Sequence, residues 1–249
     1  MFFHNNDQCL KLYDALRKTC TVQQASWLKQ ALLDIAGTGG IEMHSLYSAM
    51  ARRKMGEAPV YLPGTYAEAI GGAWFCSEAA RTLMLKQLID SHSPRQHRTL
   101  ITNAYQAGDE YERDAILKGL SLLDPEGKLV ELSIHFGRTN SLRLFSAIAL
   151  LNPYAARHYS NSAFNQLVLK ALSMDLDIRQ ITHLDQRRNQ ALNTMCLDYI
   201  EELQATDRAI PESITFAFSY HQLSDKEKVF LNHLNTELNA SAPDNEPAY

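Results

Sequence analysis

Apolar residues recur every three or four positions along most of this chain, and helix-capping residues bound the recurrences. Val22, Ala25, Leu28, Leu32 and Ile35 form one stripe between the capping-box spacing of Thr21 and Gln24 and the breaker Gly37. Leu12, Tyr13 and Leu16 predict a helix before it. Leu46, Tyr47 and Met50 predict one after it, ending at Gly56 behind Arg52, Arg53 and Lys54, cations that suit the negative end of a helix dipole. From Ala73 to Asp90, Trp74, Ala80, Leu83, Leu88 and Ile89 mark a longer helix, and Ser93-Pro94 reads as the N-cap and first residue of the next. Asp109 and Glu112 repeat the capping box ahead of Tyr111, Ala115, Ile116, Leu120 and Leu123, a run broken by Asp124-Pro125. Thr139 is placed to cap a helix through Leu142, Phe145, Ile148 and Ala149, which Asn152-Pro153 must end because proline disfavours helix at the residue before it. Further helices are expected from Ser162 to Met174, through Ala191, Leu192, Met195, Tyr199 and Leu203, after Pro211, and behind the cap Ser224-Asp225-Lys226-Glu227.

No run alternates at period two, so no real sheet is expected. Residues 58–72 hold Pro59, Pro63, Gly64, Gly71 and Gly72, and read as a loop with at most one short helix, a candidate hinge or lid. The expected fold is all-α, a multi-helix bundle or a HEAT-like helical array of about a dozen short helices. The HEAT comparison rests on residues 108–120, and no period of ~40 residues repeats that segment. A single domain is expected over residues 1–239, with a disordered tail over 240–249 that holds Pro243, Asp244, Asn245 and Pro247.

Composition narrows the function classes. The 249 residues are 45% hydrophobic and 21% charged, a globular balance. A net charge of −4 speaks against a broad phosphate-binding face, so nucleic acid is not an expected partner. The N-terminus lacks a basic segment followed by an apolar core, and no apolar run approaches the ~20 residues that span a bilayer, so a cytoplasmic location is expected. Cys9, Cys20, Cys76 and Cys196 lack CxxC spacing and read as reduced packing residues.

The chain contains no GxxxxGK[ST], GxGxxG, HExxH or GxSxG. Thr38-Gly39-Gly40 follows a helix, which makes it a C-cap and turn rather than a phosphate cradle. Nine histidines are scattered without a ligand pair at i, i+4, and neither a metal nor a cofactor is expected. The acidic cluster Asp109, Glu110, Glu112 and Asp114, with Asp198, Glu201 and Glu202 as a second, has the look of helix segments that hold magnesium around prenyl diphosphates. The simpler reading has Asp109 capping its helix and pairing with Arg113 at i+4, with the rest solvated.

More telling are polar residues where helical phase expects apolar ones. Asn165 has Val168, Leu169 and Leu172 as helical neighbours, so its amide points inward and needs a partner. Glu78 and Arg81 stand at i, i+3 and are spaced for a partly buried ion pair. Arg138, Asn140, Lys170, Asp185 and Arg188 cluster around helix ends. These eight residues form either a network that fixes helix packing or a ligand-binding set. Its cations suit an anionic small molecule such as a phosphorylated or diphosphate-bearing metabolite.

The same stretches resemble the EboA family. The resemblance is carried by Trp74 with Glu78-Ala79-Ala80-Arg81, by Arg138-Thr139-Asn140, by Phe145 to Leu150 with Asn152-Pro153-Tyr154, by Phe164 to Ala171, by Leu184-Asp185 with Arg187, Arg188 and Asn189, and by Asp198-Tyr199. It covers residues 70–215, and departs from the family pattern at Phe164, where tryptophan is usual, and at Ala155, where proline is usual. The resemblance implies a cytoplasmic protein encoded beside a UbiA-like membrane prenyltransferase, a TatD-like hydrolase, a dehydroquinate-synthase-like cyclase and a sugar-isomerase-like protein, in clusters that make or export a secondary metabolite. It carries no catalytic residue. Two readings follow: a non-catalytic adaptor or metabolite-binding component that serves the membrane prenyltransferase or its product, or an enzyme, metal-dependent or metal-free, acting on a cyclitol or prenyl-diphosphate intermediate.

Overall fold

A computed structural model describes residues 2–3, 6–38 and 40–241 of the chain. It is all-α apart from one two-residue strand pair, and divides into two compact units, Met1–Tyr159 and Ser160–Tyr249. Among the described residues no helix is long and apolar enough to cross a membrane.

The first unit contains α1 (Asp7–Thr19), α2 (Val22–Thr38), α3 (Ile41–Met55), β1 (Pro59–Val60), α4 (Gly64–Ile70), β2 (Trp74–Phe75), α5 (Cys76–Asp90), α6 (Pro94–Ala107), α7 (Glu110–Lys118), α8 (Leu120–Leu123), α9 (Val130–Phe136), α10 (Leu142–Ala149) and α11 (Pro153–His158). Its centre is α5, against which α1, α2, α3, α6, α7 and α8 all pack. Twelve of its fifteen residues are buried, so it lacks the single apolar stripe expected from Trp74 to Ile89 and is covered on every side. Trp74 precedes the helix. It pairs with Val60 in the β1–β2 ladder, and its indole Nε1–H donates to the Gly71 carbonyl at 2.9 Å.

The face that α3 turns inward also differs from the sequence expectation. His44, Ser48, Ala51 and Met55 are buried, while Leu46 is 53% exposed. Small residues there let α3 lie close to α5, and close approach outweighs the larger apolar area of the Leu46 stripe. The cap expected at Thr139 falls two residues later: Ser141 accepts the Leu144 N–H, and Thr139 Oγ1 supports it by accepting the Ser141 N–H. The boxes expected at Thr21–Gln24 and Asp109–Glu112 stand where their spacing puts them, and the N-cap expected at Ser93 is a box as well, with Gln96 accepting the Ser93 N–H.

Residues 58–72 do hold one short helix, α4, but the segment is tied down. The Arg157 guanidinium donates to the Ala69 and Glu68 carbonyls at 2.7 and 3.1 Å, closing the C-terminal end of α4. Gly71 follows at φ +93°, where a Cβ would stand 2.6 Å from the Leu151 carbonyl oxygen, so the turn requires glycine. Asn152-Pro153-Tyr154 proves architectural. Asn152 Nδ2 donates to the carbonyls of Leu117 and Ala147 at 3.0 and 2.8 Å, while its Oδ1 caps α11 by accepting the Tyr154 N–H. Tyr154 in turn donates its hydroxyl to Asp124, which also accepts the Lys128 and Leu129 N–H groups.

The second unit holds α12 (Asn161–Ser173), α13 (Leu184–Arg187), α14 (Gln190–Ala205), α15 (Asp225–Ser241) and the 3-10 turns Ile178–Gln180, Glu212–Ala217 and Tyr220–Gln222. Fifteen α-helices are thus found among the described residues, a few more than the dozen expected. The helix expected after Pro211 is the second of these 3-10 turns. Ser160 caps α12 and Asn189 caps α14. Asn165 is buried as its phase demanded, and its carboxamide meets that of Asn189 head to head through two N···O contacts of 3.0 Å. Asn193 joins α14 to the last turns through both the N–H and the C=O of Ser219. Ala240 and Ser241, expected to begin a disordered tail, continue α15, and residues 242–249 lie outside the described residues.

Two substitutions test this packing. Asn165→Leu leaves the Asn189 amide short of a partner, which costs about 1–3 kcal/mol, whereas Asn165→Asp also buries a charge and lowers the melting temperature further. Equal melting temperatures for the two variants would contradict the paired arrangement. Asn152→Ala removes three bonds from two helix ends and one cap, and thermal unfolding should show a loss larger than that of either single-bond change Ser160→Ala or Ser141→Ala.

Candidate functional site

Within the first unit, α3, α5, α6 and α7 line a solvent-open cavity of about 260 Å³. Its walls are mainly hydrocarbon, with Leu85 and Leu88 from α5, Leu100 and Ala104 from α6, and Ile116 from α7. The polar groups come from Arg81 on α5, His44 and Ser48 on α3, Asn103 on α6 and Glu112 on α7. Arg81 and Leu85 are four residues apart, as are Glu112 and Ile116, so each helix presents one polar and one apolar side chain from successive turns.

Arg81 dominates the electrostatics. It is only 3% exposed; its Nε–H donates to the Ser48 carbonyl at 3.1 Å, and its buried Nη1 has no hydrogen-bond partner. A buried guanidinium normally has a carboxylate beside it, because removing the charge from water costs several kcal/mol. The ion pair expected with Glu78 does not form. The Glu78 carboxylate folds back to accept the Phe75 N–H at 3.0 Å and reaches Lys118 Nζ at 2.6 Å, on the side of α5 that faces α7. Burial pushes the His44 imidazole down to about 4, so at neutral pH it adds no charge to the cavity. The Glu112 carboxylate accepts the Asp109 N–H at 2.8 Å in the helix cap.

A second polar cluster lies along α5 and α7. Asp114 is buried against Glu78, and desolvation together with the Glu78 charge pushes its carboxyl up to about 7, so Asp114 keeps its proton to near neutrality. Arg143 Nη1 approaches Asp114 Oδ2 at 3.6 Å, and the Lys118 ammonium also lies over the Trp74 ring at 5.6 Å. The acidic cluster Asp109 to Asp114 is therefore divided among a cap, a cavity wall and a buried pair. Arg113 does not pair with Asp109 but donates to the Tyr105 and Gln106 carbonyls. Among the described residues no group of three or more His, Cys, Asp or Glu side chains is arranged to hold a metal ion. Cys9, Cys20, Cys76 and Cys196 are all free thiols, and burial pushes Cys9 and Cys196 up to about 12.

Of the eight residues singled out in the sequence, Arg81 alone lines this cavity. Glu78 stands one turn away in the Lys118–Asp114 cluster, and Arg138 and Asn140 are exposed in the connection between α9 and α10. In the second unit Asn165 is paired with Asn189, Lys170 is half-buried on α12 with its ammonium pushed down by desolvation, Asp185 is exposed on α13, and Arg188 is half-buried with an Nε that lacks a hydrogen-bond partner. His44 and Asn103 were not singled out in the sequence, and Glu112, Leu88 and Ile116 stood out there only for a helix cap, an acidic cluster or an apolar stripe. Only the i, i+4 spacing of His44 and Ser48, two polar residues on one helix face, signalled the inward polar surface of α3.

The raised Asp114 carboxyl makes a testable contribution to stability. Asp114 has a folded-state pKa near 7 against ~3.9 unfolded, so between these values the folded protein holds a proton that the unfolded chain has released. Its contribution is complete below pH ~4 and is lost as pH rises through 7. His44, depressed by burial, works in the opposite sense, favouring the folded state as pH rises from about 4 to 6.5. The comparison with Asp114→Asn isolates the carboxyl: the melting temperature of the parent relative to the variant should fall from pH 4 to 8. A difference that does not change with pH contradicts the raised Asp114 carboxyl.

A comparison with curated proteins gave no significant match. A comparison with solved structures gave none either. The family model described as "Metabolite traffic protein EboA" matches residues 9–217, reaching well before Trp74, where the sequence resemblance began, and into the second unit. With most of its length matched by that model, the chain belongs to the EboA family.

Proposed function

We propose that this protein is a non-catalytic metabolite-binding component of a secondary-metabolite pathway, acting in the cytoplasm, and that it holds a small anionic metabolite against Arg81 in the cavity of α3, α5, α6 and α7. The observation that carries this reading is the buried guanidinium of Arg81, with an Nη1 that has no hydrogen-bond partner, on a residue that lines a largely hydrocarbon-walled cavity. Such a group is costly when empty and strongly favourable when an anion completes it. The words "metabolite traffic" in the family's description fit a protein that carries a compound rather than converts it. The polar lining favours binding over catalysis for a physical reason. Acid–base work needs a titratable group poised near the working pH, whereas His44 is neutral and Glu112 serves a helix cap. The UbiA-like membrane prenyltransferase implied by the sequence resemblance is the proposed partner that delivers or receives the compound.

Native mass spectrometry of the full chain after incubation with a metabolite extract from producing cells tests the reading. A small-molecule adduct should appear on the parent and be lost in Arg81→Met. That variant should melt at or above the ligand-free parent, because an unpaired buried charge has been replaced by an apolar side chain of similar length. An adduct indifferent to Arg81→Met, or no adduct at all, overturns the proposal.

A further inference from the structure

Cys20 and Cys76 are far apart in the sequence but meet in the first unit, where each thiol has the other as a hydrogen-bonding neighbour. We propose that this pair is a redox site, at which an anionic low-molecular-weight disulfide of the glutathione class oxidises the two thiols to one reversible disulfide that locks α1 onto α5.

The fold brings the two sulfurs together. Cys20 ends α1 in an extended backbone conformation, with its N–H on the Leu16 carbonyl at 3.0 Å. Cys76 is the first residue of α5, and its N–H donates to the Ala58 carbonyl at 2.9 Å. Both α1 and α2 pack on α5, so the corner between them meets the start of that helix. Neighbouring sulfurs reach the ~2.05 Å of a disulfide bond by turning about χ1. Because Cys20 lies between helices, its backbone has room to follow.

Access comes from one side only. Cys20 is half-buried and lines an open groove with Tyr13 and Arg17 of α1 and Val22, Ser26 and Lys29 of α2. Both charged residues on that groove are cations, which favours an anionic oxidant over a neutral one. Cys76 is 1% exposed, and Glu57 is the charge nearest its sulfur. Cys9 and Cys196 are fully buried and out of reach of solvent. Cys20 is therefore the attacking thiol and Cys76 the resolving one.

The exchange balances without a further reagent. Cys20 gives up its proton and attacks one sulfur of the small disulfide, whose S–S bond breaks to release a first small thiolate. Cys76 then gives up its proton and attacks the Cys20 sulfur, releasing the second. The two departing thiolates take up the two protons, so one small disulfide is reduced as two protein thiols are oxidised. Burial, with the Cys76 sulfur adding to it, pushes the Cys20 thiol up to about 12. The thiolate fraction is small at neutral pH, and closure should speed up about tenfold per pH unit from ~7 to ~9.

The test incubates the full chain with oxidised glutathione at pH 8, quenches samples with acid, and follows them by intact mass and peptide mapping. The parent should lose two hydrogens and yield a single crosslinked peptide pair containing Cys20 and Cys76, reversed by dithiothreitol. Cys76→Ser should instead accumulate a glutathione adduct on Cys20, and Cys20→Ser should keep all its thiols. The oxidised parent should melt higher than the reduced one by on the order of ten degrees, because the bond closes a long loop around α2 and α3. Added salt should slow closure by oxidised glutathione and leave closure by neutral hydroxyethyl disulfide unchanged. A parent that keeps its thiols, a glutathione adduct that persists on its Cys20, or a crosslink through Cys9 or Cys196 overturns the proposal. Equal salt dependence for the two oxidants overturns the choice of an anionic one.

Discussion

A helix surrounded on every side must satisfy each of its polar groups inside the protein, and α5 is such a helix. Its Ser77, Glu78, Arg81 and Thr82 are all buried, and each has drawn a partner, Ser77 and Arg81 from α3 and the residues after it, Glu78 and Thr82 from α7. The Ser77 hydroxyl donates to Glu57, Glu78 meets Lys118 and Asp114, Arg81 reaches the Ser48 carbonyl, and Thr82 donates to the Ala115 carbonyl. These contacts fix how α3 and α7 lie on α5, and Gly119 shows how closely. A Cβ there would stand 2.5 Å from Thr82 Cγ2, so the α7–α8 corner needs a glycine to sit on α5.

What could be read from the sequence was local. Capping boxes at Thr21, Ser93 and Asp109 involve one side chain and an amide three residues away, so the chain's own order reveals them. Helix faces depend on what lies opposite. The Leu46 stripe of α3 is the more hydrophobic, yet the small face of Ser48 and Ala51 is buried because α5 demands a close neighbour. Trp74 has the phase of the helix that follows it, but its backbone pairs with Val60, fourteen positions earlier, in a contact no periodicity reports. Thr139 and Ser141 are both competent caps, and only the path of the chain into α10 decides between them.

The candidate site was legible in one residue and opaque in the rest for the same reason. Arg81 stands out because an arginine among alanines and leucines needs an explanation from any reader. Glu78 looked like its partner, being three residues away, but Lys118 lies forty positions downstream and offers an ammonium at 2.6 Å. His44 and Glu112 belong to helices whose approach to α5 is a tertiary fact. Asn152-Pro153-Tyr154 and Asn165, prominent in the family resemblance, hold helix ends and helix pairs together, each within its own unit, and so are architectural.

Under the proposed function, the unpartnered Nη1 of Arg81 also links the protein's lifetime to its ligand. A buried charge without a counterion lowers the stability of the empty state, and an anion that occupies the cavity restores it by mass action, in proportion to the logarithm of its concentration over the dissociation constant. Proteases in a cell sample the unfolded fraction, so a change of 1–2 kcal/mol alters abundance about several-fold. A carrier built this way would be cleared when its compound is absent and would accumulate when the compound is made, without any transcriptional control.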